Sequence, residues 1–347
     1  MTSFSISNFD IGRSGRCFII GEVAQAHDGS LGMAHAYIDA IADCGGDAVK
    51  FQTHIADAES TPEEPWRVKF SKQDATRFDY WKRMEFTPEQ WLGLKQHCDE
   101  RNIIFLSSPF SMQAVDLLLN IGIDAWKIAS GEVNNIPLVN RLLKTNRPIL
   151  ISSGMSYLHE LKKVTGLCKK ECVPFGIFQC TTAYPCPPEK IGLNLIDSFR
   201  QEFACPVGLS DHSGEIYSSL AAVTLGCELL EVHITFNKKM FGPDTPSSLD
   251  LDQFKMLVNG VRYTEQILAH PVNKTEMVDE ISQMRELFTK SLVASENVFA
   301  GSLLIPENVT LKKPGTGISV EKYDQYIGKR LRRNVSKGSF YVAEDFE

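Results

Sequence analysis

The stretch Pro206-Val-Gly-Leu-Ser-Asp-His212, then Glu215–Gly226, then Leu229-Leu-Glu-Val-His-Ile-Thr235, decides the fold. Its two outer runs are short, apolar and β-branched at first, and each closes on polar and ionisable residues. Between them Ile216, Leu220, Val223 and Cys227 recur at helical spacing and give one buried stripe. Strand, helix and strand in that order make a parallel βαβ unit. The same alternation extends through the chain. Further strand runs are Cys17–Ala24, Asp47–Gln52, Ile103–Pro109, Ala125–Ser130, Pro148–Gly154 and Phe175–Thr181. Amphipathic stretches such as Leu31–Cys44, Pro88–Arg101, Ser111–Ile121 and Tyr157–Lys169 separate them, and Leu249–Leu268 supplies a final helix. Eight alternations, with strands apolar enough to be covered on both faces, predict a closed (β/α)8 TIM barrel. An open doubly wound sheet is the alternative, but no Gly-x-Gly-x-x-Gly follows any strand.

Nearly every run ends on chemistry: Glu22, Lys50 with Gln52, Ser107 with Ser108, Lys127 with Ser130, Ser152 with Ser153, Gln179 with Thr181, Ser210 with His212, and Glu231 with His233. The C-terminal rim of a parallel barrel is where its active site forms. His212 and His233 end neighbouring strands, so their imidazoles can converge. Two neutral imidazoles with water or carboxylate oxygens suit a divalent ion such as Mn²⁺, Zn²⁺ or Co²⁺; two hydrogen-bonded core histidines are the bland alternative. Glu22, beside the eighth strand once the barrel closes, can join that site or act as acid/base. Lys50 and Lys127 share the mouth with the hydroxyls of Ser107, Ser130, Ser152 and Ser210, a cradle for phosphate or carboxylate. Snorkelling lysines are the plainer reading, and a Schiff-base lysine is a third.

The insertion His54–Glu85 carries Trp66, Phe70, Phe78, Tyr80 and Trp81, which can stack on a sugar or pack on one another. Residues 271–286 are polar without a strand pattern and read as a linker between a barrel domain, 1–270, and a small β-rich module, 287–347. That module repeats itself: Asn297-Val-Phe-Ala-Gly-Ser-Leu-Leu-Ile-Pro-Glu-Asn-Val309 returns as Asn334-Val-Ser-Lys-Gly-Ser-Phe-Tyr-Val-Ala-Glu-Asp-Phe346. Each copy predicts a Gly-Ser turn, a short strand and a capped helical turn.

A net charge of −7 disfavours a nucleic-acid partner. No apolar run is long enough to span a bilayer, and Met1-Thr-Ser-Phe-Ser-Ile-Ser lacks a basic region and signal core, so a cytoplasmic location is expected. The nine cysteines are irregularly spaced without a Cys-x-x-Cys pair, as reduced thiols are; no base stands beside Cys180 or Cys186 to make either a nucleophile.

The ordered motifs resemble the sialic acid synthase family of N-acetylneuraminate, legionaminic and pseudaminic acid synthases. They are Gly21-Glu-Val-Ala-Gln-Ala-His-Asp-Gly-Ser30, Asp47-Ala-Val-Lys-Phe-Gln-Thr53, Ser107-Ser-Pro-Phe110, Trp126-Lys-Ile-Ala-Ser-Gly-Glu132, Ile151-Ser-Ser-Gly-Met155, Gln179-Cys-Thr-Thr-Ala-Tyr-Pro185, Gly208-Leu-Ser-Asp-His212, Glu231-Val-His233 and Gly242-Pro-Asp244. Lys312-Lys-Pro-Gly-Thr-Gly317 resembles the family's antifreeze-like (SAF) module. The resemblance implies condensation of phosphoenolpyruvate with an N-acyl amino-sugar, such as N-acetylmannosamine or 2,4-diacetamido-2,4,6-trideoxymannose, with release of phosphate. It implies metal ligation by His212 and His233, Mn²⁺ ahead of Mg²⁺ or Co²⁺, with Glu22 as acid/base. Lys50, Lys127, Ser107 or Ser108, Ser130, Ser152 and Ser210 would hold phosphoenolpyruvate. Gln52, Tyr184 and Asp244 would meet the sugar, with Thr182 and Lys313 also binding substrate, in a domain-swapped homodimer whose small module caps the partner's barrel. Three departures bear on which sugar is taken: Lys313 where the family commonly has Arg, Val232 where it has a basic residue, and Ala26 where it has Asn. The alternatives are a phosphoenolpyruvate aldol synthase acting on a phosphorylated aldose, a Schiff-base pyruvate aldolase, and a sugar- or ice-binding tail on an inert barrel.

Overall fold

The computed structural model describes residues 3–12 and 15–347. Its first compact unit, Met1–Ala269, is built on eight strands: β1 Phe18–Ala24, β2 Ala48–Thr53, β3 Ile104–Pro109, β4 Trp126–Ile128, β5 Ile149–Ser152, β6 Phe175–Cys180, β7 Val207–Asp211 and β8 Leu229–His233. Each pairs in parallel with the next, and β8 pairs in parallel with β1, so the sheet closes into the expected barrel.

Side chains on a strand alternate between its faces. Along β1, Phe18 and Ile20 turn into the barrel lumen while Ile19 joins the layer between strands and helices. The same division puts Ala48, Ile104, Leu106, Leu150, Phe178 and Leu229 inside, with Val49, Phe51, Phe105, Trp126 and Leu230 outside. The lumen is therefore a packed core in its lower half. A feature not anticipated from sequence closes that end: an antiparallel hairpin, Phe4–Ile6 with Phe9–Ile11, whose Phe4, Ile6 and Ile11 complete the luminal cluster. Three-residue strands carry too little periodicity to stand out in a sequence.

The helices begin where the chain offers caps. Ser30 accepts from the backbone N–H of Met33 to start Leu31–Asp43, and Thr87 and Gln90 form a capping box before Pro88–Glu100. Met112–Ile121 starts on Ser111 and ends on Gly122 in the left-handed region at φ 89°. β4 is shorter than its apolar run because Ser130–Glu132 turns into a 3₁₀ segment. No helix among the described residues is long and apolar enough to cross a membrane.

The second unit, His270–Glu347, opens with two short helices, Lys274–Glu280 and Ser282–Phe288, across the stretch read as a linker. Strands Ser291–Ala294 and Val309–Lys312 pair antiparallel over a core including Leu292, Leu304, Leu331, Tyr341 and Phe346. The sequence echo is a structural one. Asn297 Oδ1 accepts from the backbone N–H of Lys337 (2.8 Å), and Asn334 Oδ1 accepts from that of Ala300 (2.7 Å). The helical turns are Pro306–Asn308 and Ala343–Asp345, each capped by its own last side chain.

Two glycines separate packing from propensity. A Cβ on Gly208, within β7, would lie 2.5 Å from Leu229 Cβ, whereas Gly166, in the helix Leu158–Lys170, has nothing within 4 Å. Gly208→Ala is expected to lose about 1–3 kcal/mol through overpacking, and Gly166→Ala to gain up to ~1 kcal/mol. Midpoints of urea unfolding check both signs.

Candidate active site

Strand register assembles the upper lumen. Glu22 is the Cα partner of both His233 and Lys50, and Gln52 is that of Ser108, so residues far apart in the chain share one level. They line a cavity of about 450 Å³ open at the C-terminal ends of the strands, within the range that encloses small molecules. Its floor is a buried charge cluster. Lys50 Nζ stands 2.6 Å from Glu22 Oε2 and 3.7 Å from Glu231 Oε1, and Lys127 Nζ is 3.1 Å from the same Glu231 oxygen. Lys127 also donates to Ser152 Oγ (2.6 Å), and Ser210 Oγ donates to Glu231 (3.3 Å).

The two ammoniums are thus held together by two carboxylates of the protein itself, beneath the serine hydroxyls read from the sequence as part of an anion cradle. Glu231, noted in the sequence at the end of its strand, was given no role there. It stands two positions before His233 on one strand, so the period of two was the available signal. Burial pushes the Glu231 carboxyl up, but Lys127 and Lys50 outweigh it and hold it down at about 2. Glu22 goes the other way: burial raises it and Lys50 only partly offsets that. Burial drives the Lys127 ammonium down against Glu231, while Lys50, facing both carboxylates, is raised. Burial and unequal lysine contact thus make Glu22 the more readily protonated of the two buried carboxyls.

Ser108, Ser130, Ser152 and Ser210 all face the cavity. Ser107 does not. It is one residue out of phase on β3, and its Oγ is 2.7 Å from Thr53 Oγ1 and donates to the Phe51 carbonyl (3.2 Å). Of the pair Ser107 and Ser108, alternation selects the second. Gly154 is a further element the sequence reading passed over: a Cβ there would lie 2.6 Å from Thr182 Oγ1, 2.8 Å from Ser130 Oγ and 2.9 Å from Cys180 Sγ. Only glycine lets these three groups converge. All nine cysteines are free, and burial pushes the Cys180 thiol up, away from a nucleophilic thiolate.

The imidazoles of His212 and His233 are buried, with centroids 5.4 Å apart. His212 Nδ1–H donates to the Thr181 carbonyl (2.9 Å), which leaves a lone pair on Nε2, 3.3 Å from Ser210 Oγ and 3.4 Å from Tyr184 Oη. The Tyr184 ring stacks on His212 at 4.3 Å. Burial, then His233, pushes His212 down to about 4, and burial lowers His233 as well. Two neutral imidazoles, one with its tautomer fixed by a carbonyl, form a donor set that suits a borderline divalent ion. Among the described residues no third His, Cys, Asp or Glu joins them in a ligating group.

Above the floor, Gln52 Nε2 donates to Glu22 Oε1 (3.0 Å), and Thr182, Tyr184 and Asp244 line the wall. Asp244 Oδ1 is 3.2 Å from an Arg67 nitrogen, and the Arg67 guanidinium lies 4.7 Å from the Tyr184 ring centroid. Arg67, like Gly154, was not singled out in the sequence. The inserted aromatics pack on one another, as one of the two expectations had it, and also line the cavity. Trp66, Phe70 and Tyr80 pack edge-on and tilted at 5.0–6.0 Å, and the same residues face the cavity. Val232 points into the outer core, away from the site, and Ala26 packs against that same core. Lys313 belongs to the second unit, where its ammonium is 4.9 Å from the Phe288 ring.

One pair of variants and one single substitution follow from this geometry. Ser107→Ala is expected to cost about 1 kcal/mol of stability and leave ligand affinity alone, whereas Ser108→Ala weakens anion binding, by calorimetry, with little change in stability. Glu231→Ala strands the buried Lys127 ammonium, while Lys50 keeps Glu22, and is expected to cost about 3–5 kcal/mol; the denaturation midpoint reads it.

Comparison with known proteins places these residues in a family. The NeuB family model matches residues 37–273, and the SAF domain model matches 289–347. N,N'-diacetyllegionaminic acid synthase of Campylobacter jejuni is 33% identical over 325 residues, covering 92% of this chain and 97% of that protein. N-acetylneuraminate-9-phosphate synthase of Homo sapiens is 32% identical over 340 residues, covering 96% and 94%. The solved N-acetylneuraminic acid (sialic acid) synthetase of Leptospira borgpetersenii, in complex with citrate, superimposes with a TM-score of 0.71 at 27% identity, covering 82% of this chain and 98% of that one. With family and domain models matched in this order along the sequence, the chain belongs to the NeuB, or sialic acid synthase, family and ends in a SAF domain.

Proposed function

We propose that this cavity condenses phosphoenolpyruvate with an uncharged N-acyl amino-sugar aldehyde, giving a nonulosonic acid and inorganic phosphate. The acceptor would be N-acetylmannosamine or a sugar such as 2,4-diacetamido-2,4,6-trideoxymannose. One observation carries the reading: two buried lysines with cavity-facing serines stand beside two neutral imidazoles on one floor. An anion cradle next to a polarising site is what joining an enol phosphate to an aldehyde requires.

Lys50, Lys127, Ser108, Ser130, Ser152 and Ser210 would hold the phosphate and carboxylate, with Gly154 leaving room between Ser130 and Thr182. His212 and His233 would hold a divalent ion, Mn²⁺ by preference, which when bound supplies Lewis-acid polarisation of the acceptor aldehyde. The methylene carbon of phosphoenolpyruvate forms the new bond to the aldehyde carbon, whose oxygen gains a proton. Water adds to the enol carbon with loss of one proton; as the carbonyl then forms, the bond from that carbon to the phosphate oxygen breaks and the remaining hydroxyl proton leaves with the phosphate. Glu22 is placed to take the proton from water, since burial leaves its carboxyl able to hold one while Lys50, 2.6 Å away, steadies the anion. Glu231, held ionised, keeps Lys127 in place beneath the leaving phosphate.

The upper wall favours an uncharged acceptor over a phosphorylated aldose. Glu59, Glu64, Glu132 and Asp244 face it, against Arg67 and Arg77; Arg67 is paired with Asp244 and Arg77 with Glu64. A second phosphate would meet more negative than positive charge there. A Schiff-base aldolase is the one rival with an observation behind it, because burial pushes the Lys127 ammonium down.

The decisive assay is phosphate release from phosphoenolpyruvate and Mn²⁺ with a panel of N-acyl sugars and their phosphates, with mass spectrometry of the product. Release with the uncharged sugars is expected; release only with phosphorylated ones would replace the acceptor. His233→Ala, or a chelator, is expected to cut turnover by at least ~100-fold, and full activity in chelator would overturn the metal role. Borohydride with pyruvate is expected to leave Lys127 unlabelled; a covalent adduct there would move the enzyme to the aldolase class.

A further inference from the structure

His54 follows β2 directly and is almost fully buried, its ring sandwiched between Trp81 (centroids 4.1 Å apart, 21° between planes) and Phe110 (4.3 Å, 14°). Nothing in the chemistry above uses it, yet both ring nitrogens are engaged. Nδ1 lies 2.5 Å from Glu59 Oε1, and Nε2 lies 3.2 Å from Gln52 Oε1. Because the Gln52 amide nitrogen donates to Glu22, its oxygen is turned to His54 and can only accept, so His54 Nε2–H donates to it; a second proton, on Nδ1 or on the Glu59 carboxyl, joins the other pair. On its other side Gln52 Nε2 donates to Glu22 Oε1 at 3.0 Å. The result is a directional chain, Glu59–His54–Gln52–Glu22, running from the wall of the cavity to its floor.

A glutamine amide can be turned end for end at almost no cost in shape, and the turn exchanges a donor pair for an acceptor. Here both ends are committed. The oxygen is claimed by His54 and one amide proton by Glu22, which leaves one N–H and one lone pair of Gln52 for a ligand. Gln52 lines the cavity, so those two groups have a fixed polarity toward whatever occupies it. Recognition of a hydroxyl or N-acyl group depends on that polarity, because a buried mismatch leaves polar atoms unpaired.

We infer that His54 is a positioning residue for acceptor recognition: clamped between Trp81 and Phe110 and steadied by Glu59, it fixes which end of the Gln52 amide faces the sugar. The inference rests on the reading of the cavity as an amino-sugar site, and deepens it. Glu59 is itself fixed, with Oε2 3.4 Å from the Ile55 backbone nitrogen that donates to it, so the chain does not end on a loose carboxylate.

Three substitutions at one position separate this role from mere packing. Glutamine places an amide nitrogen where Nε2 stood and keeps the donor to Gln52; asparagine places one near Nδ1 and keeps only Glu59; phenylalanine keeps the stack and neither bond. His54→Asn and His54→Phe are expected to raise KM for the sugar roughly tenfold while KM for phosphoenolpyruvate stays within about twofold, and His54→Gln to restore the sugar KM. Equal increases in both KM values, or a glutamine variant as impaired as the asparagine one, would assign His54 a purely structural role. A second readout needs no turnover. In enzyme labelled with ¹⁵N in glutamine side chains, the Gln52 amide signal, identified by its loss in Gln52→Glu, should shift in His54→Asn and return in His54→Gln. An unmoved signal in His54→Asn overturns the inference. Absence of any phosphate release by the unsubstituted enzyme would instead strike the proposed function, and the spectrum would still decide the role of His54.

Discussion

A closed parallel barrel forces every second side chain of eight strands into one shared lumen, and the site is a consequence of that constraint. In the lower half the inward positions are apolar and fill the space, as Phe18, Ile20, Leu106, Leu150 and Phe178 do. In the upper half the same phase delivers Glu22, Lys50, Ser108, Lys127, Ser152, Ser210, Glu231 and His233 to one cavity. Such a concentration of charge is tolerable only because it is balanced. Desolvating two ammoniums and two carboxylates separately would cost several kcal/mol for each ion, but within 2.6–3.7 Å of one another they offset most of that. The apolar plug below and the neutral charge cluster above are therefore one design, with the hairpin at Phe4–Ile11 sealing the end where no chemistry occurs.

The charge cluster also explains why its members differ. Each carboxylate touches at least one lysine, yet Glu231 lies between two and Glu22 beside one. That asymmetry of contact, with burial common to both, drives one carboxyl down and the other up. In the proposed reaction this would separate acid/base duty, at Glu22, from counter-ion duty, at Glu231, two functions obtained from like residues. The imidazoles obey the same logic in reverse. Burial keeps them neutral, the state in which they can ligate, and the Thr181 carbonyl selects which nitrogen of His212 is free.

Specificity is built by a different part of the chain. The floor belongs to strands, whose geometry leaves little latitude, while the wall is assembled from the 54–85 insertion and the loops carrying Tyr184 and Asp244. Loops vary freely over a fixed scaffold, so in the proposed function the condensation would rest on the floor and the choice of sugar on the wall. The departure at Val232 has no bearing on this wall, because the residue faces the outer core. Arg67, with its guanidinium against both Asp244 and Tyr184, is one positively charged contribution of the insertion to that wall, and Arg77 is another.

The periodicities of the sequence by themselves determined the barrel, the order of its strands, the internally repeated C-terminal module and the residue types at each strand end. These are local properties: alternation, helix spacing and a recurring Asn-to-Gly-Ser phrase survive in a one-dimensional reading. Distances and partners were decided only by the tertiary structure. Adjacent serines at 107 and 108 cannot be told apart until the strand has a phase relative to a lumen. Glu231 means little until two lysines from other strands come within reach of it, and Gly154 only when three side chains crowd the place of its absent Cβ. Likewise His54 is an ordinary histidine after a strand until Glu59, Gln52, Trp81 and Phe110 surround it. Which group neutralises, orients or makes room for which is a property of neighbours, and neighbours across a closed sheet are set by register rather than by sequence separation.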